Sequence, residues 1–545
     1  MRNAFLVILS LTIVAFLSGL SNALVWDDVL LIAQNQTLQH PIDWGSIFLQ
    51  HLWAGTPNFD ATQGGYYRPL VIASFAIDRT LFGESFFFYH LHSLGWHLIN
   101  LLLLHLWLRL KLQNPFAHAL ALGLFAFHPL QIESIAFLSA RNDIMACTGM
   151  LGMLLCFEKT DTRSHLFGGL FLLFGLLSKE SVLLSPLLLI GYLYLEKQSL
   201  PQKYHWWSIG SAFAIYAAMR WFAGVSFPPS ETSLWSVFLP SVLIYASRLV
   251  VSTQLLPGTH VLWLSWHEWI YGFIGILLVL LMSIREKRTS ATALLIFFLG
   301  LFPALSAISS TGLSADRYLY LPLVGIALLL GKTLDGIQRV FLVRSVSAFF
   351  IGLWLVQTIQ TLPAWKSDLS LFATSLQARE NPYRAGAYAK ILEQAGKLDT
   401  AAFWYERATQ PPLPYRHSCY NVTQIHLLRE DPTSAIRVGE AALEAGCEPS
   451  AELLSPLALA HASQGNWKRA EDLVRNQTRD PRGHIKLLRL VFQARKRNWN
   501  TLQETFQRLS VKERDMLIRN IDWLLQRGGD LDSQQWLYSK LSVSD

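Results

Sequence analysis

The sequence predicts an all-α protein in two parts: a polytopic membrane bundle of about eleven spans, then an extracytoplasmic stack of short helical hairpins. Three observations predict it. Apolar runs of near-spanning length recur from the N-terminus to about residue 361. Lys and Arg gather at every second connection between those runs. Beyond that point the long apolar runs stop, and small residues recur at a spacing near 34.

Composition points the same way. Of 545 residues, 52% are hydrophobic and only 15% charged, and the mean hydropathy is +0.30. A soluble domain carries about 25% charged residues. The 19 Trp and 32 Phe suit rings seated at a membrane interface. These values exclude a disordered chain, a coiled coil and an ordinary cytosolic enzyme. The net charge of +7 raises the question of nucleic acid, but the basic residues form no single patch, so no nucleic-acid partner is expected.

The predicted spans lie near 4–24, 87–108, 116–132, 144–157, 165–178, 181–195, 206–223, 268–284, 291–308, 317–331 and 345–361. Arg2 precedes the first. Arg109 and Lys111 follow the second, Lys159 and Arg163 the fourth, and Lys197 and Lys203 the sixth. Arg285, Lys287 and Arg288 follow the eighth, and Lys332, Arg339 and Arg344 the tenth. A cytoplasmic N-terminus and an extracytoplasmic C-terminal part follow from this alternation. The first run also resembles a signal peptide with Ser21-Asn22-Ala23 at its end. Val237–Leu256 is long enough to span, but Arg248 interrupts it and a span there would put the Arg285–Arg288 cluster on the wrong side. It reads as a helix in the outer interface or dipping into the protein.

The second part begins with a junction at 362–382. In residues 383–482, Ala401 and Ala408 recur as Ala435 and Ala442, and Ala470 lies a further 35 residues on. That period is the one of tetratricopeptide hairpins, whose stacked helices form an extended concave surface. About three units are recognisable, and 483–545 reads as a helical capping segment. Cys419 and Cys447 would pair only in an extracytoplasmic setting, and two buried helix-borne thiols are the alternative.

The chemistry-bearing residues lie at the outer ends of the spans. Trp26-Asp27-Asp28 follows the first, and Tyr66-Tyr67-Arg68-Pro69 closes the first loop. His128-Pro129 and Glu133 end the third span, and Arg141-Asn142-Asp143 opens the fourth. Ser178-Lys179-Glu180 is a tight turn, Arg248 sits in the interfacial helix, and Asp316-Arg317-Tyr318 opens the tenth span. Ionisable groups at membrane depth usually face a cavity. Acids and bases gathered there suit a substrate with a phosphate head and a lipid tail, which would be held by cations, with a carboxylate as base. The plain alternatives are solvated carboxylates at the lipid boundary and self-neutralising pairs at Lys179–Glu180, Asp316–Arg317 and around Arg141. His90, His92, His97 and His105 lack acidic or Cys partners at ligand spacing, so no metal or other cofactor is predicted; divalent-metal dependence stays open. Asn35, Asn421 and Asn476 begin glycosylation acceptor triplets, which matter only in a eukaryotic host.

Taken in order, the WDD pair, YRPL, HPLQIESIAFLSARNDIMA, SKE, ADRYLYLP and the hairpin array resemble the tetratricopeptide-bearing membrane O-mannosyltransferases and their bacterial relatives, which are GT-C glycosyltransferases. The likeness covers roughly residues 20–480. It implies transfer of a sugar, with inversion, from a polyprenyl-phosphate donor to a hydroxyl acceptor on the outer side, Ser or Thr of a protein. It implies Asp28 as base with Asp27 orienting. Arg68, Lys179 and Arg317 would hold the donor phosphate, with Arg141 and Arg248 behind them. Glu133, Asp143, His128, Glu180 and Tyr67 would bind sugar or acceptor. The repeats would hold an acceptor polypeptide or partner protein. The short, degenerate array favours a bacterial inner membrane over an endoplasmic one. A non-catalytic membrane-anchored scaffold and a glycan-to-lipid transferase on the same frame are the rival readings. A transporter would want symmetric halves, which the spans do not show.

Overall fold

The computed structural model describes residues 1–57, 65–159, 161–197, 203–226, 233–251, 259–260, 264–284, 287–410, 415–477, 484–508 and 511–541. The chain divides into two compact units, Met1–Leu371 and Phe372–Asp545. Both are helical. The described sheet is one antiparallel pair of two-residue strands, Thr259–His260 against Leu313–Ser314.

In the first unit the expectation of about eleven spans is corrected. Among the described residues four helical stretches are long and apolar enough to cross a membrane: Arg2–Ser21, Phe86–Leu108, Trp266–Ser283 and Val340–Lys366. A fifth is reached if Pro115–Phe127 and Pro129–Ala136, bent by 43° at His128, count as one. The other expected spans are shorter or more polar. Arg141–Phe157 has 17 residues, Thr162–Leu176 and Lys287–Leu301 have 15, Pro322–Asp335 has 14 and Ser185–Tyr192 has 8. At 1.5 Å per residue a 14-residue helix reaches only about 21 Å, short of an apolar core of about 30 Å. Part of their apolarity has another cause: protein encloses Arg141–Phe157, while Thr162–Leu176 still exposes Leu166, Phe167 and Leu170. Every residue of Arg141–Phe157 up to Leu154 is buried. Its Gly149 lies against Gly175 of Thr162–Leu176, where a Cβ would stand 2.6 Å from the Gly175 Cα. Only glycine permits that approach.

The ambiguous run at 237–256 forms the helix Leu234–Val250 with Pro240 inside it; its end, 252–256, lies outside the described residues, as do Arg285 and Thr478 of the third acceptor triplet. Helix starts follow the sequence. Asn114 caps Pro115–Phe127 and Asp161 caps Thr162–Leu176, each accepting from backbone N–H groups of the first turn. Ser265 and Glu268 form a capping box on Trp266–Ser283. The N-terminal helix Arg2–Phe16 packs on Pro115–Phe127 and Phe86–Leu108, with Phe5 stacked 4.3 Å from His105.

The second unit is a run of helix pairs. Pro382–Gln394 pairs with Leu398–Ala408, Arg416–Leu428 with Pro432–Glu444, and Ala451–Ser463 with Trp467–Val474. His484–Arg495 with Trp499–Gln507, and Val511–Arg527 with Leu531–Leu541, continue the run. Each pair turns through one residue with positive φ: Gly396, Glu430, Gly465, Arg497 and Gly529, which lie 34, 35, 32 and 32 residues apart. The small residues Ala401, Ala408, Ala435, Ala442 and Ala470 are buried where the paired helices meet.

Cys419 and Cys447 form a disulfide across 28 residues. It closes the second hairpin, and such a loop restricts the unfolded chain by about 3–4 kcal/mol. Replacing both cysteines with serine is therefore expected to lower the melting temperature of this unit, and added reductant should lower the wild type to match. A variant melting with the unreduced wild type would show the bond to be dispensable.

Candidate active site

A cavity of about 410 Å³ opens in the first unit, and its wall draws on distant parts of the chain: the loop after the first helix, the loop before Pro69–Phe82, the start of Arg141–Phe157, the turn at 179–184 and the segment 300–321. The first loop enters it through a strained backbone. Trp26 has φ +54°, a region that a bulky side chain seldom adopts. Its N–H donates to Asp368 Oδ1 at 2.6 Å, and its ring stacks on Phe137 at 5.5 Å. The next residue, Asp27, lies on the cavity wall.

Three ion pairs surround the space. Arg68 Nη2 lies 2.8 Å from Glu180 Oε2, Lys179 pairs with Asp143, and Arg317 pairs with Glu133. Aromatic faces back the cations. Arg68 lies 4.6 Å from the Tyr66 ring centre and Lys179 5.1 Å from that of Tyr318. Arg317 is enclosed by Trp26, Phe137 and Tyr318 at 5.2–5.6 Å. Removal from water pushes the Asp27 carboxyl up to about 6, Arg317 pulling it down and Asp368 adding to the rise. Burial likewise pushes the Lys179 amine down to about 8, against the pull of Asp143. Much of the remaining lining is apolar, with Leu183, Leu184, Phe302, Pro303, Ala304 and Leu321. The cavity thus offers a carboxylate, cations and an apolar slot in one space.

The structure sorts the expected site residues. Asp27, Arg68, Asp143, Lys179, Glu180 and Arg317 all line the cavity. Asp28 does not. It is fully buried beside it, accepting from Ser139 N and Oγ at 2.7 and 2.6 Å and from Val25 N and Leu138 N at 3.3 Å. Four donors surround the Asp28 carboxylate, while Asp27 lies on the cavity wall. Glu133 stands behind the wall, holding Arg317 and accepting from the Asp316 N–H at 2.8 Å. Arg141 is fully buried and is not among the cavity-lining residues. It pairs with Asp78 at 2.6 Å and donates to Ser74, Ser93 and the Tyr89 carbonyl. Arg248 is tied to Asp316 and Ser314, off the cavity. His128 accepts from the Leu130 N–H at 3.3 Å. The Tyr67 hydroxyl donates to the Phe48 carbonyl, while its N–H donates to Glu180 at 3.1 Å.

Sequence reasoning missed Tyr66, Tyr318, Phe137 and Asn142 on the wall. Each adjoins or lies within a motif that it had singled out, so adjacency was the available signal. Of the histidines, His92 Nδ1 lies 2.7 Å from Asp78 and His97 Nδ1 2.7 Å from the Tyr320 hydroxyl. His105 Nδ1 lies 3.2 Å from His118 Nε2. Among the described residues no three His, Cys, Asp or Glu groups are placed to hold a metal ion.

Compared with known proteins, the chain is similar to protein O-mannosyl-transferases, the family that the sequence motifs resemble. It is 31% identical to protein O-mannosyl-transferase Tmtc2 of Drosophila melanogaster over 186 residues, which are 32% of this chain and 20% of that protein. It is 23% identical to protein O-mannosyl-transferase TMTC1 of Homo sapiens over 479 residues, 72% of this chain and 53% of the relative. For protein O-mannosyl-transferase F38B6.6 of Caenorhabditis elegans the values are 24% over 404 residues, 69% and 57%. The chain thus spans between 20% and 57% of these relatives' lengths. No family model and no solved structure matches it.

Proposed function

We propose that the chain is a membrane glycosyltransferase that moves a mannose-like hexose from a polyprenyl phosphate to a Ser or Thr hydroxyl of a polypeptide. The observation that carries this reading is the meeting of Asp27 with Arg68, Lys179 and Arg317 in one cavity whose lining is otherwise largely apolar. The similarity to protein O-mannosyl-transferases supports the same chemistry. Asp27 is the base: it takes the proton as the hydroxyl oxygen attacks the anomeric carbon. The bond from that carbon to the phosphate oxygen breaks on the opposite face, so the configuration inverts. The departing lipid phosphate carries the electron pair, and Arg68, Lys179 and Arg317 stabilise its charge. Asp143 and Glu180 hold those cations and accept from sugar or acceptor hydroxyls.

The frame we assign is GT-C-like over residues 1–361. The hairpins of residues 383–482 are read as tetratricopeptide-like, with 362–382 as junction and 483–545 extending the stack to hold the acceptor. The Cys419–Cys447 disulfide supports an oxidising compartment, periplasm or organelle lumen, for the second unit. Arg2 ahead of the first apolar helix supports a cytoplasmic N-terminus.

The test is transfer by the purified full chain from a polyprenyl-phosphate-linked mannose to a Ser/Thr peptide. Sugar on the hydroxyl with inverted configuration is expected, and a nucleotide-sugar donor should give none. Arg317→Met should raise the KM for the lipid donor about tenfold or more, since a charge-assisted contact is worth about 1.5–3 kcal/mol. Transfer from the nucleotide sugar, or none from either donor, would overturn the reading.

A further inference from the structure

We propose that the second unit carries a docking cleft for an acidic stretch of polypeptide. This deepens the function proposed above, since it gives the acceptor chain a chemistry, and it can fail separately from it. The cleft is a concavity of about 460 Å³ among the helices Trp467–Val474, His484–Arg495 and Trp499–Gln507. Arg475, Lys486, Arg489 and Lys496 stand exposed around it, with Glu471 the one carboxylate among its described lining residues. Its floor is apolar, and Leu490 and Phe492 are 5% exposed.

The charge is a property of the whole segment. Residues 468–508 hold eleven Lys or Arg against four Asp or Glu. Three of these cations have exposed partners. Lys496 meets Glu471 at 2.5 Å and Arg475 meets Asp472 at 2.6 Å, both exposed pairs of the kind worth little in water. Arg489 donates to the Gln477 carbonyl at 2.6 Å. An incoming carboxylate can exchange for such partners at small cost. The shape selects the occupant. A membrane surface would meet a flat basic face, whereas a concavity with an apolar floor and a cationic rim takes an apolar side chain flanked by carboxylates. Stacked hairpins bind peptides through such concave faces.

The test uses the full chain in a neutral detergent with a fluorescein-labelled peptide alternating Glu and Leu, followed by anisotropy. Its counterpart alternating Gln and Leu should bind at least about tenfold more weakly, as should the Glu peptide on Lys486→Glu/Arg489→Glu. Raising salt from about 0.05 to about 0.3 M should weaken the Glu peptide, since the contacts are exposed. The variant should melt with the wild type. Equal binding of the two peptides, or of variant and wild type, overturns the cleft. So does binding of phosphatidylglycerol vesicles through Lys486 and Arg489 that the peptide does not displace. Sugar transfer to a short neutral Ser/Thr peptide reads the cavity of the first unit alone. Transfer without Glu-peptide binding removes the cleft and leaves the function; binding without transfer does the reverse.

Discussion

Replacing Asp27 with asparagine is expected to lower sugar transfer about 10²- to 10⁴-fold, the usual worth of a positioned base, with the melting temperature unchanged. Asp27 lies on the cavity wall, and its neighbour Arg317 keeps Glu133 as partner when the charge goes. An amide there fills the same volume and cannot take a proton. The pH profile gives a second reading of the same residue. With its carboxyl raised to about 6, Asp27 is ionised only above that value, so the rate rises with pH through about 6. Lys179, lowered to about 8, loses its charge above that value, and the hold on the leaving phosphate weakens. The expected wild-type profile is therefore a bell with limbs near those two values. Asp27→Asn should lose the acid limb, and Lys179→Arg, which stays charged, should lose the alkaline one. Wild-type turnover in Asp27→Asn would remove the base, and a wild-type profile flat from about pH 5 to pH 9 would remove both assignments.

The residues of this cavity were legible because function needs charge where a membrane protein otherwise avoids it. In a chain with 15% charged residues, an Asp, Arg or Lys beside an apolar run is conspicuous, so all six charged wall residues stood out. Their partition was not legible. Sequence shows Asp27 and Asp28 as equivalent neighbours, and only the left-handed turn at Trp26 decides which carboxylate faces the space. Arg141 and Arg68 look alike as well, until Asp78 takes one and Glu180 lines the cavity beside the other. Span counting failed for a related reason. Hydropathy registers removal from water, and Arg141–Phe157 is as apolar when sheathed by other helices as it would be in lipid. The hairpin run is legible only in part because its later units drop the small residues: Ala401, Ala435 and Ala470 mark the first three pairs, whereas Glu504 stands 34 residues further on. Gly396, Gly465 and Gly529 mark three turns visibly, but Glu430 and Arg497 adopt the same left-handed conformation without glycine. That choice costs roughly 1–2 kcal/mol each, and no composition rule anticipates it.

Asp28→Asn is expected to fail differently, by unfolding. The four groups that face Asp28 are all donors: the N–H groups of Val25, Leu138 and Ser139, and the Ser139 hydroxyl. A carboxylate accepts from all of them. An asparagine accepts on one side only, and its amide N–H₂ on the other meets a backbone N–H whichever way it is turned. Facing Val25 and Leu138 it strands two backbone N–H groups; facing Ser139 it strands one, since the hydroxyl can turn to accept. Buried donors without partners cost about 1–3 kcal/mol each, so the loss should be at least about 1–3 kcal/mol, and Asp28→Ala should lose more. The bond to Ser139 also ties the Asp27 loop to the start of Arg141–Phe157, which carries Asp143, so slackening it displaces two wall residues together. The loss is read as melting temperature in detergent. A variant that melts with the wild type yet transfers no sugar would return the role of base to Asp28.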